Sequence, residues 1–142
     1  MWDNIKNPEL QSEGGAYWPY QVTTIDLISF TDRFPNMFPP KNSPMKVKKG
    51  FLAFRQYCLA CHTINGEGGG KSVELNYPVS VTEYIKESWL IKWIDNPKSI
   101  RFNTTMPRLN PNAHNRETII KEIIAYLKEM KNNKRKPISG KN

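Results

Sequence analysis

The sequence has only two cysteines and two histidines among 142 residues. Cys58 and Cys61, three positions apart, cannot staple distant parts of a small disulfide-built fold, so they read as chemical rather than structural. Apolar residues are also scarce. The AVILMFWYC set makes up 38% of the chain, against roughly 45–50% in an ordinary globular protein on a slightly different count. A core this short of side chains implies another apolar body to help fill it. No run approaches the roughly 18 consecutive apolar residues of a membrane span, so no span is expected in this chain. The opening Met1-Trp2-Asp3-Asn4 has neither the basic nor the apolar region of a secretory signal. An export signal is therefore expected to have been removed or to lie outside this sequence. The length bounds the chain to one domain with an appended segment.

Positive charge is in excess, 21 Lys and Arg against 13 Asp and Glu for a net +8. It is unevenly placed: residues 1–40 hold five acids and two bases, a sum of −3, which leaves +11 for the rest. Much of that sits in two runs, Lys41 to Lys49 and Lys131 to Lys136. Such runs read as solvated faces or tails, with docking to an acidic partner, nucleic acid or an anionic membrane as the alternative. No recognised nucleic-acid module accompanies them, so nucleic-acid binding is set aside.

Residues 1–46 form a proline- and aromatic-rich extension or interdomain junction. Up to residue 45 it carries six of the eleven prolines and seven of the sixteen aromatics, which suits an extended arm packed on a surface better than a flexible linker. The β-branched cluster within Gln21 to Phe30 predicts a short strand. From Val47 the pattern turns helical. Gly50, Phe54 and Cys58 fall on one face of a helix expected from about Val47 to Cys61. Asn65 to Gly70 reads as a glycine loop. Ser80-Val81-Thr82-Glu83 has the form of a capping box opening a helix to Asn96-Pro97, with Ile85, Trp89 and Trp93 on one face. The last helix is expected from about Arg116, behind an Asn115 cap, to about Lys131, with Ile120, Ile123, Ile124 and Leu127 inward. Residues 132–142 form a basic tail.

The chemistry lies in Cys58-Leu59-Ala60-Cys61-His62, a C-x-x-C-H run that reads as covalent c-type haem attachment. Two cysteines on one turn can each add across a porphyrin vinyl group, and the adjoining imidazole then meets the iron. A thioredoxin-like pair would open a helix, whereas this pair closes one. A zinc site would need a fourth ligand, and His114 is the only other histidine. Candidates for the second side of the iron are Met106, His114, Met130, Met37 and Met45. Met106 is the unusual one, an apolar side chain in the polar loop Asn103-Thr104-Thr105-Met106-Pro107.

Gly50-x-x-x-Phe54-x-x-x-Cys58-x-x-Cys61-His62, with Met106-Pro107 and a closing helix bearing Tyr126-Leu127, resembles the class I c-type cytochromes over residues 47–131. The resemblance implies an all-α cytochrome c-like fold around one haem c per chain. It also implies His62 and Met106 as the metal ligands, and a close crossing of the first and last helices at Gly50 and Phe54 against Ile123 and Tyr126. Trp93 and Arg101 are implied as haem-binding residues reaching a propionate, with Arg55 and Tyr84 as lesser candidates. The family often has Gly-Pro after the attachment site, where the Pro carbonyl accepts the proximal histidine N–H. Here Ser72-Val73-Glu74-Leu75-Asn76-Tyr77-Pro78 stands instead, and Val73 would have to supply that carbonyl.

Ala16-Tyr17-Trp18-Pro19-Tyr20-Gln21-Val22 is similar to the junction in periplasmic proteins that join a molybdopterin-oxidoreductase-like domain to a cytochrome. Together these readings imply a periplasmic electron carrier rather than an enzyme, shuttling single electrons between redox proteins and possessing a fused or associated oxidoreductase domain. Its basic surface would steer an acidic partner at low salt. The alternative is a haem-based small-ligand sensor or peroxidase-like enzyme with an open sixth position.

Overall fold

The structure, a computed structural model, describes residues 23–137. Along the chain run α1 (Phe30–Arg33), α2 (Met45–Tyr57), β1 (Thr63–Ile64), β2 (Glu67–Gly68), α3 (Val81–Tyr84), α4 (Glu87–Asp95), a 3-10 turn (Pro97–Ser99) and α5 (Arg116–Lys131). Among the described residues the only sheet is the two-residue antiparallel pair β1–β2, so the fold is essentially all-α.

The organising contact is the crossing of α2 and α5. Gly50 makes it possible: a Cβ there would lie 1.9 Å from the Glu122 carbonyl oxygen and 3.0 Å from Cβ of Tyr126. The missing side chain lets the two backbones meet, at a helix-propensity cost of about 1 kcal/mol against Ala. Phe51 and Phe54 then stack at tilted angles on the Tyr126 ring, 5.6 and 5.4 Å between centroids. Ile120, Ile123, Ile124, Leu127 and Met130 complete the buried stripe of α5. The spacing of the last helix predicted Ile120, Ile123, Ile124 and Leu127 in this stripe but not Met130, and the element ends where expected. Asn115 occupies the N-cap in a left-handed conformation, φ 57°, without a side-chain cap bond.

Three expectations are revised. The first helix begins at Met45 and ends at Tyr57, four residues short of Cys61, so the two cysteines lie in a turn beyond it. The Ser80 capping box is present in full, but it opens only the single turn α3. Ile85 is extended at φ −109°, ψ 125°, and the chain restarts at Glu87. This break rotates the second helix, so that α4 buries Leu90 and Ile94 while Trp89 stays exposed. The strand expected within Gln21 to Phe30 is absent from its described part. Residues 23–29 carry no strand, and Ile25, Leu27 and Ile28 are exposed. No described strand lies alongside to share ladder hydrogen bonds, and β-branched composition alone cannot supply them. Gln21 and Val22, like the Tyr17-Trp18-Pro19-Tyr20 stretch, lie outside the described residues.

From Phe30 onward the N-terminal segment is laid across the helical body. Met37 is fully buried, and its carbonyl accepts a 2.6 Å hydrogen bond from the Tyr126 hydroxyl. Asn36 donates through its backbone N and Nδ2 to Glu67, at 2.7 and 2.9 Å. Phe30, Phe38 and Phe51 form an edge-packed cluster capped by the Arg55 guanidinium, 3.7 Å above the Phe30 ring. At the other end, Lys134 pairs with Glu83 at 2.5 Å, and the Arg135 amide donates to Asn65 Oδ1 at 3.0 Å.

Candidate functional site

The cysteine turn is built by backbone bonds. The Cys58 amide donates to the Phe54 carbonyl and closes α2; the Cys61 and His62 amides both return to the Cys58 carbonyl, at 3.1 and 2.9 Å. The Asn65-Gly66 pair, with positive φ at both residues, makes the tight hairpin turn joining β1 to β2. That hairpin presses Gly69 onto the turn: its amide donates to the Leu59 carbonyl at 2.8 Å, and a Cβ there would meet the Ala60 oxygen at 2.0 Å. The stretch read as a glycine loop is therefore a hairpin clamped on the cysteine segment.

Cys58 and Cys61 are not joined by a disulfide, and both are half-buried. Burial, assisted by the neighbouring Cys61, pushes the Cys58 thiol up to about 12. The pair follows the C-terminus of α2, which offers no positive dipole end of the kind that lowers the thiol pKa in thioredoxin-like sites. Among the described residues no group of three or more His, Cys, Asp or Glu is arranged to hold a metal ion on its own, so a zinc reading of the cysteines finds no ligand set. His114 is exposed ahead of α5.

His62 is 8% exposed, and its Nδ1 lies 3.0 Å from the Val73 carbonyl oxygen. The pairing requires Nδ1 to carry the proton, which leaves the lone pair of Nε2 as the ring's metal-binding position. Val73 supplies the carbonyl even though no Gly-Pro is present.

Met106 is half-buried, its amide held by the Thr104 hydroxyl at 3.2 Å. The Trp93 indole N–H donates to its sulfur at 2.9 Å. Trp93 and Met106 are thus brought together. Arg101 lies apart: it is exposed, and its Nε donates to Asn103 Oδ1 at 3.1 Å. Arg55 is engaged on Phe30, and Tyr84 is exposed. Met37 and Met130 are buried in the helical core, and Met45 is exposed at the start of α2. Met130, read from sequence as a residue near a frayed helix end, is 1% exposed and packed.

A polar hub that no local motif marks as a whole joins the hairpin turn to the end of α5. Asn65 and Asn76 are each 1% exposed and joined through Asn76 Nδ2 and Asn65 Oδ1 at 2.9 Å. Asn65 also donates to the Asn36 and Asn133 carbonyls, and Asn76 to that of Met130. Glu74 accepts from backbone amides around them. The Asn-Gly dipeptide was a visible turn signal, but no motif marks Glu74 or Asn76: Asn76 reaches Met130 on α5, and Glu74 joins the hairpin turn to the amides just beyond it.

The residues fit a covalently held haem. Two free thiols and a buried imidazole with one nitrogen committed stand within one short turn, the donor set that covalent haem attachment uses. No described helix is long and apolar enough to cross a membrane. The protein-family model for cytochrome c matches residues 47–131, more than half of the chain. No curated protein and no solved structure gives a significant match. The attachment turn, the helix crossing and the family match agree that this chain belongs to the cytochrome c family, a c-type cytochrome with covalently bound haem c for electron transfer.

Proposed function

We propose that residues 47–131 form a mono-haem, class I electron-transfer module in which Cys58 and Cys61 carry the thioether links and His62 and Met106 are the axial ligands. The observation that carries this reading is where the competing ligands sit. Met37 and Met130 are locked in the core, Met45 and His114 are on the surface, and Met106 is half-buried with its sulfur on an indole N–H. Bound haem supplies a one-electron iron couple, and His–Met ligation fills both axial positions while holding the potential above that of harder ligand sets. The chain's own contribution is positioning. The Val73 carbonyl keeps the proton on Nδ1 and fixes the His62 ring, while Thr104 and Trp93 hold the backbone and sulfur of Met106. With no open position, the module is a carrier rather than an enzyme.

The setting proposed is the periplasm, where the module passes single electrons between redox proteins. An acidic partner suits its net charge of +8. Residues 1–46 are proposed as the junction to a fused or associated oxidoreductase domain, on the strength of Trp18-Pro19-Tyr20-Gln21. Visible spectroscopy of protein produced with haem-maturation machinery is the test. Haem that survives acid–acetone extraction, and a methionine-to-iron charge-transfer band lost in Met106→Ala, are the expected results. A band that persists in that variant moves the ligand elsewhere, and prompt carbon monoxide binding by the ferrous protein establishes the sensor or peroxidase alternative.

A further inference from the structure

Val73 has no proline beside it and its side chain is exposed, so its own packing does not fix the carbonyl. Two backbone bonds tie it to the attachment strand, Ser72 N to the Cys61 carbonyl at 2.9 Å and Leu75 N to the Thr63 carbonyl at 3.0 Å. They set the offset between the two stretches. Just past Leu75 the Asn76 side chain adds bonds to Asn65 and to the Met130 carbonyl, and the densest restraint is one carboxylate. Glu74 Oε1 accepts from the Asn65, Asn76 and Tyr77 amides at 2.9, 2.8 and 3.0 Å, and Oε2 accepts from the Gly66 amide at 2.8 Å. Two of these amides belong to the hairpin turn after His62 and two to the chain just past Val73. A single side chain therefore clamps both sides of the loop that presents the carbonyl, through charge-assisted bonds stronger than neutral ones.

We propose that Glu74 is a positioning residue for His62: by clamping residues 65–66 to 76–77 it aims the Val73 carbonyl at Nδ1 and so sets the donor strength of His62 toward the haem. The inference rests on the reading of His62 as an axial ligand. A carbonyl accepting from Nδ1–H makes the imidazole a more basic ligand, and a more basic ligand favours ferric over ferrous iron. Loosening the clamp therefore raises the reduction potential and exposes the Nδ1 proton to exchange.

The experiment uses the haem-loaded full chain carrying Glu74→Ala, Glu74→Gln or the control Val73→Ala. It reads the equilibrium reduction potential, the exchange rate of the His62 Nδ1 proton by NMR in the ferrous state and, separately, thermal stability. Glu74→Ala is expected to raise the potential and speed exchange about tenfold, the order expected when a hydrogen bond of average net worth is lost. Glu74→Gln keeps one oxygen for the Asn65, Asn76 and Tyr77 amides and falls between Ala and the parent. Val73→Ala changes neither, since it leaves the carbonyl in place. Lower thermal stability with unchanged potential and exchange overturns the proposal. If Glu74→Ala does not accumulate with haem, Glu74→Gln decides: faster exchange supports the clamp, and parental values refute it. Failure of the ligand reading shows in the parent protein itself, as a ferrous spectrum without a haem-shifted His62 resonance, and so is distinguishable from failure at position 74.

Discussion

The Trp93 indole N–H donates to the sulfur of Met106 across 2.9 Å, joining helix α4 to the polar loop thirteen residues on. An indole nitrogen only donates, so the sulfur must be the acceptor. The resemblance to other c-type cytochromes implied a propionate as the partner of Trp93. In the folded chain its hydrogen is directed at the Met106 sulfur. The positive end of that N–H dipole faces the sulfur and, with iron bound there, favours the reduced state. Trp93→Phe keeps the ring and removes the donor. The expected result is a lower reduction potential by spectroelectrochemical titration, with the methionine charge-transfer band retained; an unchanged potential would show that the contact has no influence on the iron.

Gly50 invites the opposite test, of packing alone. Ala is the better helix former by about 1 kcal/mol. Its methyl would nevertheless sit 1.9 Å from the Glu122 carbonyl, a backbone atom that cannot swing away. The clash should win, so Gly50→Ala is expected to lose about 2–3 kcal/mol net in chemical denaturation. A stability gain would mean that the α2–α5 crossing is looser than its geometry states.

Tyr126 carries a pH dependence. Its hydroxyl is buried on the Met37 carbonyl, and burial, with Glu74, Cys58 and Glu67 adding smaller contributions, raises its pKa above the ordinary 10.0. A group raised on folding contributes its full stability below the unfolded value and loses it as pH climbs. Stability should therefore fall from about pH 10 upward, at a rate of about 1.4 kcal/mol per pH unit. Tyr126→Phe is expected to cost about 1–3 kcal/mol at neutral pH, by leaving a buried carbonyl unpaired, and to remove that alkaline slope. Urea denaturation at pH 7 and across pH 9 to 11 measures both.

Ser80 is fully buried, its hydroxyl accepting from the Thr82 amide while Glu83 accepts from the Ser80 amide at 2.6 Å. Because α3 is a single turn, the cap is a large part of what holds it. Ser80→Ala should cost about 1 kcal/mol, read as a lower thermal midpoint without change in the visible spectrum.

The elements that were clear in advance are those whose signals are local. Helix α5 shows as apolar spacing over four turns, the Ser80 box as two residues three apart, and the attachment run as five consecutive letters. The break at Ile85 was not visible, because periodicity in Trp89 and Trp93 continues smoothly across it, and only the packing of Leu90 and Ile94 selects the rotated helix. The predicted strand failed for a related reason: propensity is a local quantity, and ladder partners are not.

By itself the sequence determined the cofactor chemistry and the family, since C-x-x-C-H and the helix periodicities are set by covalent reach and by the turn of one helix. It also marked Gly50 as a contact position, a side-chain absence that has a meaning in any close crossing. Only the tertiary structure decided what Trp93, Glu74, Asn76 and Met37 do. Asn76 and Met37 find their partners on α5, the Met130 carbonyl and the Tyr126 hydroxyl, while Trp93 meets the Met106 sulfur and Glu74 the amides that the hairpin and the following loop bring together. The Asn76 and Met37 bonds exist only where α5 lies against those segments, and the Trp93 and Glu74 bonds only where the loops fold back, so local sequence pattern carries no record of them.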